Sequence, residues 1–483
     1  LLNSQSLISY SEENTPVFKE IAGKKDALVW EEDIGYFEWA AEIPEDGLYE
    51  ISIEYYPLGG TSNPIQRSIK IDDETPFKEA DNIYFHRLWK DKEEPRVNNI
   101  GDEVRPRQIE EKEWRAFELT DHQGMYPEPF KFYFTKGTHS IKLIYAEEPM
   151  AIGDIIIRSP EEIPSYEEVL REYKQKEYKN AEQTVRFEAE SSVTRKSDPT
   201  IRRETDGDPL TYPASSTTRK LNIMGSWRWR KGNQSITWKF NVPEDGLYKI
   251  GMRVGQWYQE GLPVYRQIAI DGKVPFSELK EYKFQYDWDW QTNILSDSDE
   301  THYLFYLEKG EHELTMTVKM GPLSEIIESI YEDTLLLSKV IRQIVMLTGS
   351  EPDVNFEYEL DRNIPDLLEN LTKLSDNMEE KARLLSGIST KSPAMSNNFL
   401  MISDQMKKMV KKPDTIPLKL NDLNNALNSL GTWSLSLQDH ALTIDYFMVG
   451  APDEKWQNKQ SNILKKIAAT WQNFIISFTK DYD

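Results

Sequence analysis

The chain has 483 residues, a formal net charge of −24 and no cysteine. A chain this acidic repels polyanions, so we expect no nucleic-acid partner, and the missing cysteines exclude disulfides and thiol-ligated metals. No apolar run reaches the roughly 18 residues of a membrane-spanning helix, so no transmembrane segment is expected.

An internal repeat organises the larger, N-terminal part of the chain. The hexapeptide PEDGLY occurs at 44–49 and again at 243–248, and the flanking residues align around it. Segment 132–145 aligns with 305–318 at a shorter offset, which places an insertion at 90–130 in the first copy. Two diverged copies of one domain are therefore predicted.

Each copy is predicted to be an antiparallel jelly-roll β-sandwich. Apolar and polar residues alternate along EWAAEI and LYEISIEY and along their counterparts TWKFNV and LYKIGMRV, as in strands with one buried face. Proline and glycine in PEDG mark the turn between these strands. The predicted domains are sandwich 1 at 1–160, a charged linker with a short helix at 161–183, and sandwich 2 at 184–320.

A helical, bundle-like region is predicted for 321–483, where the apolar period changes to that of a helix. Gly321 and Pro322 mark the start of its first helix, and Gly349 is the expected cap at its end. Segment 440–454 is the exception, because its pattern is partly that of a strand, which we expect to add to one sandwich. Further helices are predicted at about 363–387, 394–411, 417–432 and 457–480.

No motif for catalysis is present in the sequence. The chain lacks HExxH, GxSxG, a P-loop and GxGxxG, and its carboxylates show no spacing that singles out an acid–base pair. His139 and His312 occupy matching positions of the two copies, which favours a structural role over metal binding. We therefore expect a protein that is not an enzyme.

Aromatic and charged residues concentrate in three segments of the second copy, at 224–238, 255–266 and 284–291. Where such segments meet at one end of a sandwich, their rings can stack on the C–H faces of a sugar while charged groups bind its hydroxyls. Strand alternation predicts that Trp229 and Trp288 belong to the core instead. The expected sugar-binding residues are Trp227, Trp257, Tyr258, Glu260, Arg266, Tyr286, Asp287 and Trp290 in the second copy and Tyr56, Arg67, Tyr84, Arg87 and Trp89 in the first.

Arg67 and Arg266 stand at equivalent positions of the repeat, and two roles remain open for them. Each arginine contacts the ligand in one interpretation and forms a structural ion pair with a loop carboxylate in the other. For any single aromatic ring, a place in the sandwich core is the alternative to sugar contact.

The second copy resembles the carbohydrate-binding modules of families 6 and 35. The resemblance is carried by VPEDGLYKIGMRV, by VYRQIAIDGKVPF and by the opening segment FEAE at 187–190. It implies a jelly-roll sandwich in which acidic residues of the first strand bind a structural calcium ion, and thereby implies Glu188 and Glu190 as ligands. In the first copy, MAIGDIII at 150–157 resembles the closing strand of such modules, which adds Asp154 as a ligand.

A second resemblance covers almost the whole chain. The ordered series EPFKFYFTKGTHSIKL, YLFYLEKGEHEL, IRQIVMLTG and LGTW resembles the N-terminal half of long extracellular solute-binding lipoproteins of Gram-positive bacteria. In that family, two sandwiches and a helical segment precede a family 1 sugar-binding domain of an ABC importer. The resemblance implies a cell-surface location, a lipid anchor on an N-terminal segment not present here, and contact with the importer permease through a C-terminal domain that this sequence lacks.

Three functions are weighed on these patterns. The first is non-catalytic capture of oligo- or polysaccharide as an accessory part of an ABC sugar uptake system. The second is a structural scaffold or protein-docking segment that displays a C-terminal solute-binding domain. The third is a glycosidase or lyase that retains such modules. Exposed, coplanar rings at 257, 258, 286 and 290 would favour the first, and buried rings with a broad apolar face on the helices would favour the second.

Overall fold

The computed structural model describes residues 1–456 except 62, 216, 300, 354 and 392. Along this range the chain forms a β-sandwich, a linker helix, a second β-sandwich and a helical bundle. The predicted fold class, two antiparallel sandwiches and a helical region, is confirmed. The helix predicted at 457–480 lies outside the described residues.

Sandwich 1 is built from the first copy of the repeat. The strands of this first copy, not all of which join sandwich 1, are β1 (Leu7–Tyr10), β2 (Val17–Ile21), β3 (Lys24–Trp30), β4 (Tyr36–Ile43), β5 (Gly47–Pro57), β6 (Ile65–Ile71), β7 (Ile83–Phe85), β8 (Leu88–Asp91), β9 (Arg96–Val97), β10 (Glu103–Val104), β11 (Gln108–Glu111), β12 (Arg115–Glu118), β13 (Lys131–Phe134), β14 (Gly137–Glu147) and β15 (Met150–Arg158). One sheet has the order β1-β4-β14-β6-β7, and the facing sheet has the order β12-β5-β15-β3-β2 with β13 on β5. The alternating apolar residues point inward and form one core that includes Trp30, Trp39 and Tyr55.

The linker holds the predicted short helix, α1 (Tyr166–Gln175). Ser165 and Glu168 form a capping box at its start, because the Ser165 hydroxyl accepts from the Glu168 amide while the Glu168 carboxylate accepts from the Ser165 amide. The buried Tyr166 ring lies 4.9 Å from the Phe276 ring, so the helix packs on sandwich 2.

Sandwich 2 combines the second copy with a strand from the far end of the described chain. Its strands are β16 (Val185–Glu188), β17 (Val193–Lys196), β18 (Arg203–Glu204), β19 (Ile223–Ser226), β20 (Ser235–Val242), β21 (Gly246–Gly255), β22 (Val264–Ile270), β23 (Tyr282–Phe284), β24 (Gln291–Ile294), β25 (Leu304–Leu307), β26 (Gly310–Lys319) and β27 (Leu442–Gly450). One sheet has the order β18-β19-β27-β21-β24, with β16 on β27 and β25 on β21. The strand predicted within 440–454 is confirmed, and it lies in the middle of this sheet.

The helical bundle is inserted into sandwich 2, between β26 and β27. Its first helix begins after Pro322 and ends before Gly349, which has φ 74°, as predicted. The predicted boundary of the helical region is corrected within the described residues, because the strand that follows the last described helix belongs to sandwich 2. The bundle and sandwich 2 share one hydrophobic core. The helices are α2 (Leu323–Thr348), α3 (Leu360–Asn363), α4 (Leu367–Ile388), α5 (Ala394–Lys411) and α6 (Leu420–Leu437).

β27 takes the place in sandwich 2 that β15 takes in sandwich 1. β15 pairs with β5, and β27 pairs with β21, which are the strands that follow the two PEDG turns. Both pairings are interrupted by a shift of register, beside Asp154 in one copy and at Asp445 in the other. Asp445 therefore takes the place of Gly153, and Asp154 takes the place of Tyr446, so the two aspartates stand one position apart in the same bulge.

The insertion of the first copy joins the two sandwiches. β8 and β11 extend the second sheet of sandwich 2, whose order is β11-β8-β17-β20-β26-β22-β23. Lys196 on β17 pairs with Trp89 on β8, and its ammonium group lies 2.7 Å from the Asp91 carboxylate. Lys196 is 1% exposed, so a different register of these strands would leave a charge buried without its partner.

The repeated PEDGLY segments perform the same structural task in both sandwiches. The Asp46 carboxylate accepts a hydrogen bond of 2.6 Å from the Lys136 amide, and the Asp245 carboxylate accepts one of 2.6 Å from the Lys309 amide. Each aspartate thus ties the PEDG turn to the turn before the penultimate strand. The repeated hexapeptide is part of the sandwich framework.

The matched histidines are structural as well, as predicted. The His139 imidazole lies 2.6 Å from the Asp72 carboxylate, and the His312 imidazole lies 2.7 Å from the Asp271 carboxylate. Both aspartates have positive φ, 52° and 51°, so each pair fixes a strained turn at the same place in its copy.

Among the described helices, none combines the length and the hydropathy that crossing a bilayer requires.

Candidate functional site

Two adjoining cavities lie where the two sandwiches and the end of α6 meet, at the sandwich ends away from the PEDG turns. We call them together the junction groove. Its larger lobe, lobe A, encloses about 740 Å³, and its walls include Tyr84 and His122 from the first copy, Asp198 and Gln234 from the second, and Gln438 from the segment after α6. Its smaller lobe, lobe B, encloses about 550 Å³ beside Trp227, Arg228 and Arg230. The two lobes share Asp198, Thr200, Lys231 and Gln234.

The first copy supplies an aromatic wall to lobe A. The Tyr84 ring is stacked on the His122 ring, with 4.5 Å between centroids and 11° between planes. Burial lowers the pKa of His122, so the imidazole is neutral at neutral pH. Trp89 lines the same lobe but is largely buried. The two predicted ring residues of this wall are therefore at the groove, and Tyr84 is the more accessible.

Arg87 also lines lobe A, but its guanidinium group is committed to the protein. It lies 2.6 Å from the Glu110 carboxylate and 2.9 Å from the Glu148 carboxylate, and it donates to the Asn63 carbonyl over 3.0 Å. These contacts fix the loop around Asn63 on the groove wall. Arg87 therefore positions the wall, and a direct contact with sugar, as predicted, would require it to lose a buried partner.

Trp227 is the exposed ring at lobe B. Its side chain is 46% exposed, and the Arg230 guanidinium lies 4.4 Å from the ring centroid. Arg230 is held in turn by the Asp439 carboxylate at 2.7 Å. One face of the indole is thus covered by a cation while much of the ring remains open to solvent.

The three aromatic segments of the second copy meet as predicted, but their rings do not form a flat platform. The Trp227 and Tyr258 rings lie 6.0 Å apart, and Trp257 lies 5.8 Å from Tyr258. Trp257 and Trp290 meet edge to face at 82°, and Trp290 is only 3% exposed. The predicted role of Trp290 as a stacking ring is corrected, because it is covered by Trp257 and by the Arg253 guanidinium.

Arg67 and Arg266 are fully buried, so both predicted roles are wrong. Arg67 donates to the Glu147 carbonyl over 2.8 Å and lies on the Trp30 ring, and Arg266 donates to the Tyr265 carbonyl over 2.8 Å and lies on the Trp229 ring. Neither forms an ion pair in the described part of the chain. Backbone carbonyls and ring faces take the place of the loop carboxylate that the sequence suggested.

Four other predicted residues lie away from the groove walls. Glu260 is exposed, and Tyr286, Asp287 and Tyr56 are half-buried. The Tyr56 ring packs 5.6 Å from the Trp114 ring on sandwich 1. Trp229 is in the core as predicted, whereas Trp288 is 75% exposed and the core prediction for it is wrong.

The predicted calcium ligands do not form one site. Asp154 in sandwich 1 lies 3.3 Å from the Lys24 ammonium, which neutralises it, and Glu188 in sandwich 2 is paired with Arg186 at 2.9 Å. Across residues 1–456, apart from the five positions left out, no group of three or more histidines and carboxylates has an arrangement that holds a metal. Calcium therefore stays a prediction.

Glu190 and Asp445 are the carboxylates that keep this prediction open. Each is buried and has one oxygen with no hydrogen-bond partner, and the Ala189 amide donates to the Asp445 carbonyl over 2.9 Å. Burial raises the pKa of Glu190 to about 8 and that of Asp445 to about 6. A bound cation would give a partner to the free oxygen of each carboxylate. Two carboxylates, however, supply only part of the about six to eight oxygen ligands that calcium takes.

The sequence did not reveal several groove residues. His122, Asp198, Lys231, Gln438 and Asp439 come from four separate segments and carry no shared motif. Lys231 follows the WRWR segment directly, which is the one local signal that could have found it.

Three kinds of comparison bear on the chain. Residues 325–437, the helical bundle, match the family model described as the 4-helix bundle domain of bacterial solute-binding proteins. No curated protein sequence matches the chain significantly.

Solved structures similar to the chain include carbohydrate-binding modules and glycan-active enzymes. A family 35 carbohydrate-binding module from Clostridium thermocellum is 13% identical, with a TM-score of 0.19, over 33% of this chain and 96% of that one. A cycloisomaltooligosaccharide glucanotransferase from Paenibacillus sp. is 17% identical, with a TM-score of 0.20, over 44% of this chain and only 28% of that enzyme. A Podospora anserina β-(1,4)-mannanase is 11% identical, with a TM-score of 0.19, over 51% of this chain and 64% of that one. These TM-scores are far below the value that marks a shared overall architecture.

Proposed function

We propose that the chain binds oligo- or polysaccharide without catalysis, and that it does so in the junction groove. The observation that carries the proposal is the exposed Trp227 ring, which stands at lobe B beside the side chains of Arg228, Arg230 and Lys231. Tyr84 adds a second ring on the wall of lobe A.

Sugar recognition requires this combination of groups. The C–H faces of a sugar ring pack on an indole or phenol, and its hydroxyls bind charged and amide side chains that are already in place. In lobe A, the amide of Gln438 and the carboxylates of Asp198 and Asp439 supply such groups. The volumes of both lobes lie within the range of about 300–1,000 Å³ that is usual for small-molecule sites.

The setting that we propose is the cell surface, where the chain would serve as an accessory part of an ABC sugar importer and carry a lipid anchor. The match of the helical bundle to a domain of bacterial solute-binding proteins supports this setting. Contact with a permease, in this proposal, belongs to a family 1 solute-binding domain beyond this sequence.

A scaffold that displays such a solute-binding domain is the second candidate. The observation that favours it is the insertion of the bundle within sandwich 2, with both connections entering one shared core. A bundle attached in this way is held in a defined direction relative to the sandwich. Sugar binding alone does not require this arrangement.

Affinity electrophoresis of the purified chain against plant and bacterial polysaccharides separates the two candidates. Glycan capture predicts retardation by at least one polysaccharide, loss of that retardation in Trp227→Ala, and no loss in Trp288→Ala, which removes an exposed indole outside the groove walls. Absence of retardation by every polysaccharide would support the scaffold.

We also propose that calcium binds in sandwich 2 at Glu190 and Asp445, with backbone carbonyls and water as further ligands. The two partnerless buried oxygens support this proposal. Isothermal titration with calcium checks it, because Glu190→Gln should abolish the heat of binding, whereas Asp154→Asn in sandwich 1 should leave it unchanged.

A further inference from the structure

Lobes A and B of the junction groove share four wall residues, which raises the question of whether one ligand occupies both. Asp198, Thr200, Lys231 and Gln234 border each lobe. Lobe A continues from them toward Tyr84, and lobe B continues from them toward Trp227. The half-buried Tyr84 and the exposed Trp227 therefore lie on opposite sides of the shared residues.

The shared wall is held in a fixed shape by one side chain. Gln234 is buried, and its Oε1 accepts hydrogen bonds from the Arg230 amide at 2.9 Å and from the Lys231 amide at 3.0 Å. Its Nε2 donates to the Asp198 carboxylate over 2.9 Å. Gln234 thus links the loop of lobe B to the loop of lobe A, and both walls are in place before a ligand arrives.

Above this fixed wall the surface is polar and open. Thr200 and Lys231 are exposed, and the Lys231 side chain has no ion-pair partner among the described residues. The Asp198 carboxylate accepts from the Thr200 hydroxyl over 2.6 Å. A hydroxyl-rich chain that crosses here would meet the Lys231 ammonium group and the Thr200 hydroxyl.

We infer that lobes A and B form one continuous groove that takes a linear oligosaccharide longer than one lobe, with the sugar chain crossing over Thr200 and Lys231. The inference rests on the proposed function and adds the class of ligand to it. Tyr84 and Trp227 then contact different sugar units of the same chain. A monosaccharide fills one side only and loses the contacts of the other.

A length series tests the inference by isothermal titration. The probes are xylo-, manno- and isomalto-oligosaccharides, together with fragments of any polysaccharide that retards the chain, each from the monosaccharide to the hexasaccharide. We expect the affinity to rise about tenfold or more between the shortest and the longest members of the series that binds, and then to level off.

Thr200→Trp places an indole at the crossing point and provides the second measurement. We expect this variant to bind the long oligosaccharide only as weakly as the short one, with little change for the short one. Thr372→Trp, on the exposed face of α4, is the matched control and should bind as the unsubstituted chain does. Thermal melts establish that both variants are folded.

Two outcomes overturn the inference in distinguishable ways. If short and long oligosaccharides bind equally well and Thr200→Trp affects neither, the lobes are separate sites, and the proposed function stands without the inference. If no oligosaccharide of any length binds, the proposed function fails together with it.

Discussion

The two copies of the sandwich are alike at one end and different at the other. At the PEDG end, Asp46 and Asp245 bind the amides of equivalent turns, and each copy repeats its histidine–aspartate pair. At the opposite end, the first copy carries the strand-forming insertion at 90–130, and the second carries the helical bundle. The repeated end maintains the framework, and the end that diverged builds the junction groove from both additions.

The copies also differ in how they hold the aspartate of the closing strand. In sandwich 1, Lys24 bridges Glu54 and Asp154, and all three side chains are partly exposed. In sandwich 2, Arg253 occupies the position equivalent to Glu54 and pairs with Asp445, with both side chains buried. The bulge of the closing strand therefore holds a partly solvated ion pair in one copy and a buried one in the other.

Replacing the basic side chain of each ion pair, Arg253 or Lys24, should reveal the difference in burial between the two copies most strongly. Arg253→Met leaves the Asp445 carboxylate buried without its partner, so we expect the free energy of unfolding to fall by about 3–5 kcal/mol. Lys24→Met removes a partly exposed pair and should cost about 0–1 kcal/mol. Urea unfolding followed by tryptophan fluorescence measures both, and equal losses would show that the two copies are held alike.

Truncating the aromatic wall of the first copy should weaken glycan binding by about tenfold, or about 1.4 kcal/mol. The change is Tyr84→Ala, which removes the ring stacked on His122 in lobe A. Tyr133→Ala is the matched control, because Tyr133 is 64% exposed on β13 of the same sandwich, away from the groove walls. Isothermal titration compares them, and equal affinities of the two variants would exclude the first copy from the site.

The pH dependence of stability should distinguish Glu190 from ordinary carboxylates. Its pKa is raised from 4.5 to about 8 by burial, so the folded state holds a proton that the unfolded chain has lost. Stability should therefore fall as pH rises between these two values, and Glu190→Gln should remove that part of the slope. Thermal melts in calcium-free buffer measure this pH dependence. If stability changes with pH equally in the unsubstituted chain and in Glu190→Gln, the pH dependence does not come from Glu190.

The smallest effect is expected at the repeated histidine pairs. The hydrogen bond that the His139 imidazole donates to the Asp72 carboxylate raises the pKa of His139, so the pair contributes stability at low pH and loses it as pH rises through the folded-state pKa. Asp72→Asn keeps an acceptor for the Ser140 amide but removes the charge. We expect a loss below about 1 kcal/mol at acidic pH and none at alkaline pH in urea unfolding. A loss of stability that is the same at every pH would show that Asp72 acts through packing and not through its charge.

Local patterns explain why most of the fold could be predicted. The alternation along β4 and β5, the Gly321–Pro322 start of α2 and the partly strand-like segment around β27 are all properties of neighbouring residues. Neighbouring residues do not specify which sheet a distant strand joins, so the segment that forms β27 was assigned to the helical region although it belongs to sandwich 2.

The site was predicted less well, for a tertiary reason. Arg67 and Arg266 look like surface cations in the sequence, but each is covered by an indole from another part of the chain. Trp288 and Trp290 are separated by one residue in a loop, where strand alternation does not apply, and their exposures are the reverse of those predicted. Tyr84, Trp227 and Gln438 belong to three parts of the chain, so no motif in the sequence could bring them together.

Hydrogen–deuterium exchange with a bound oligosaccharide tests most directly whether the diverged end is the functional one. We expect slower exchange at 84–89, 227–234 and 435–439, which contain residues that line the groove, and unchanged exchange at the two PEDG turns. Protection at the PEDG turns, or on the outer face of one sandwich with the groove unchanged, would contradict this expectation.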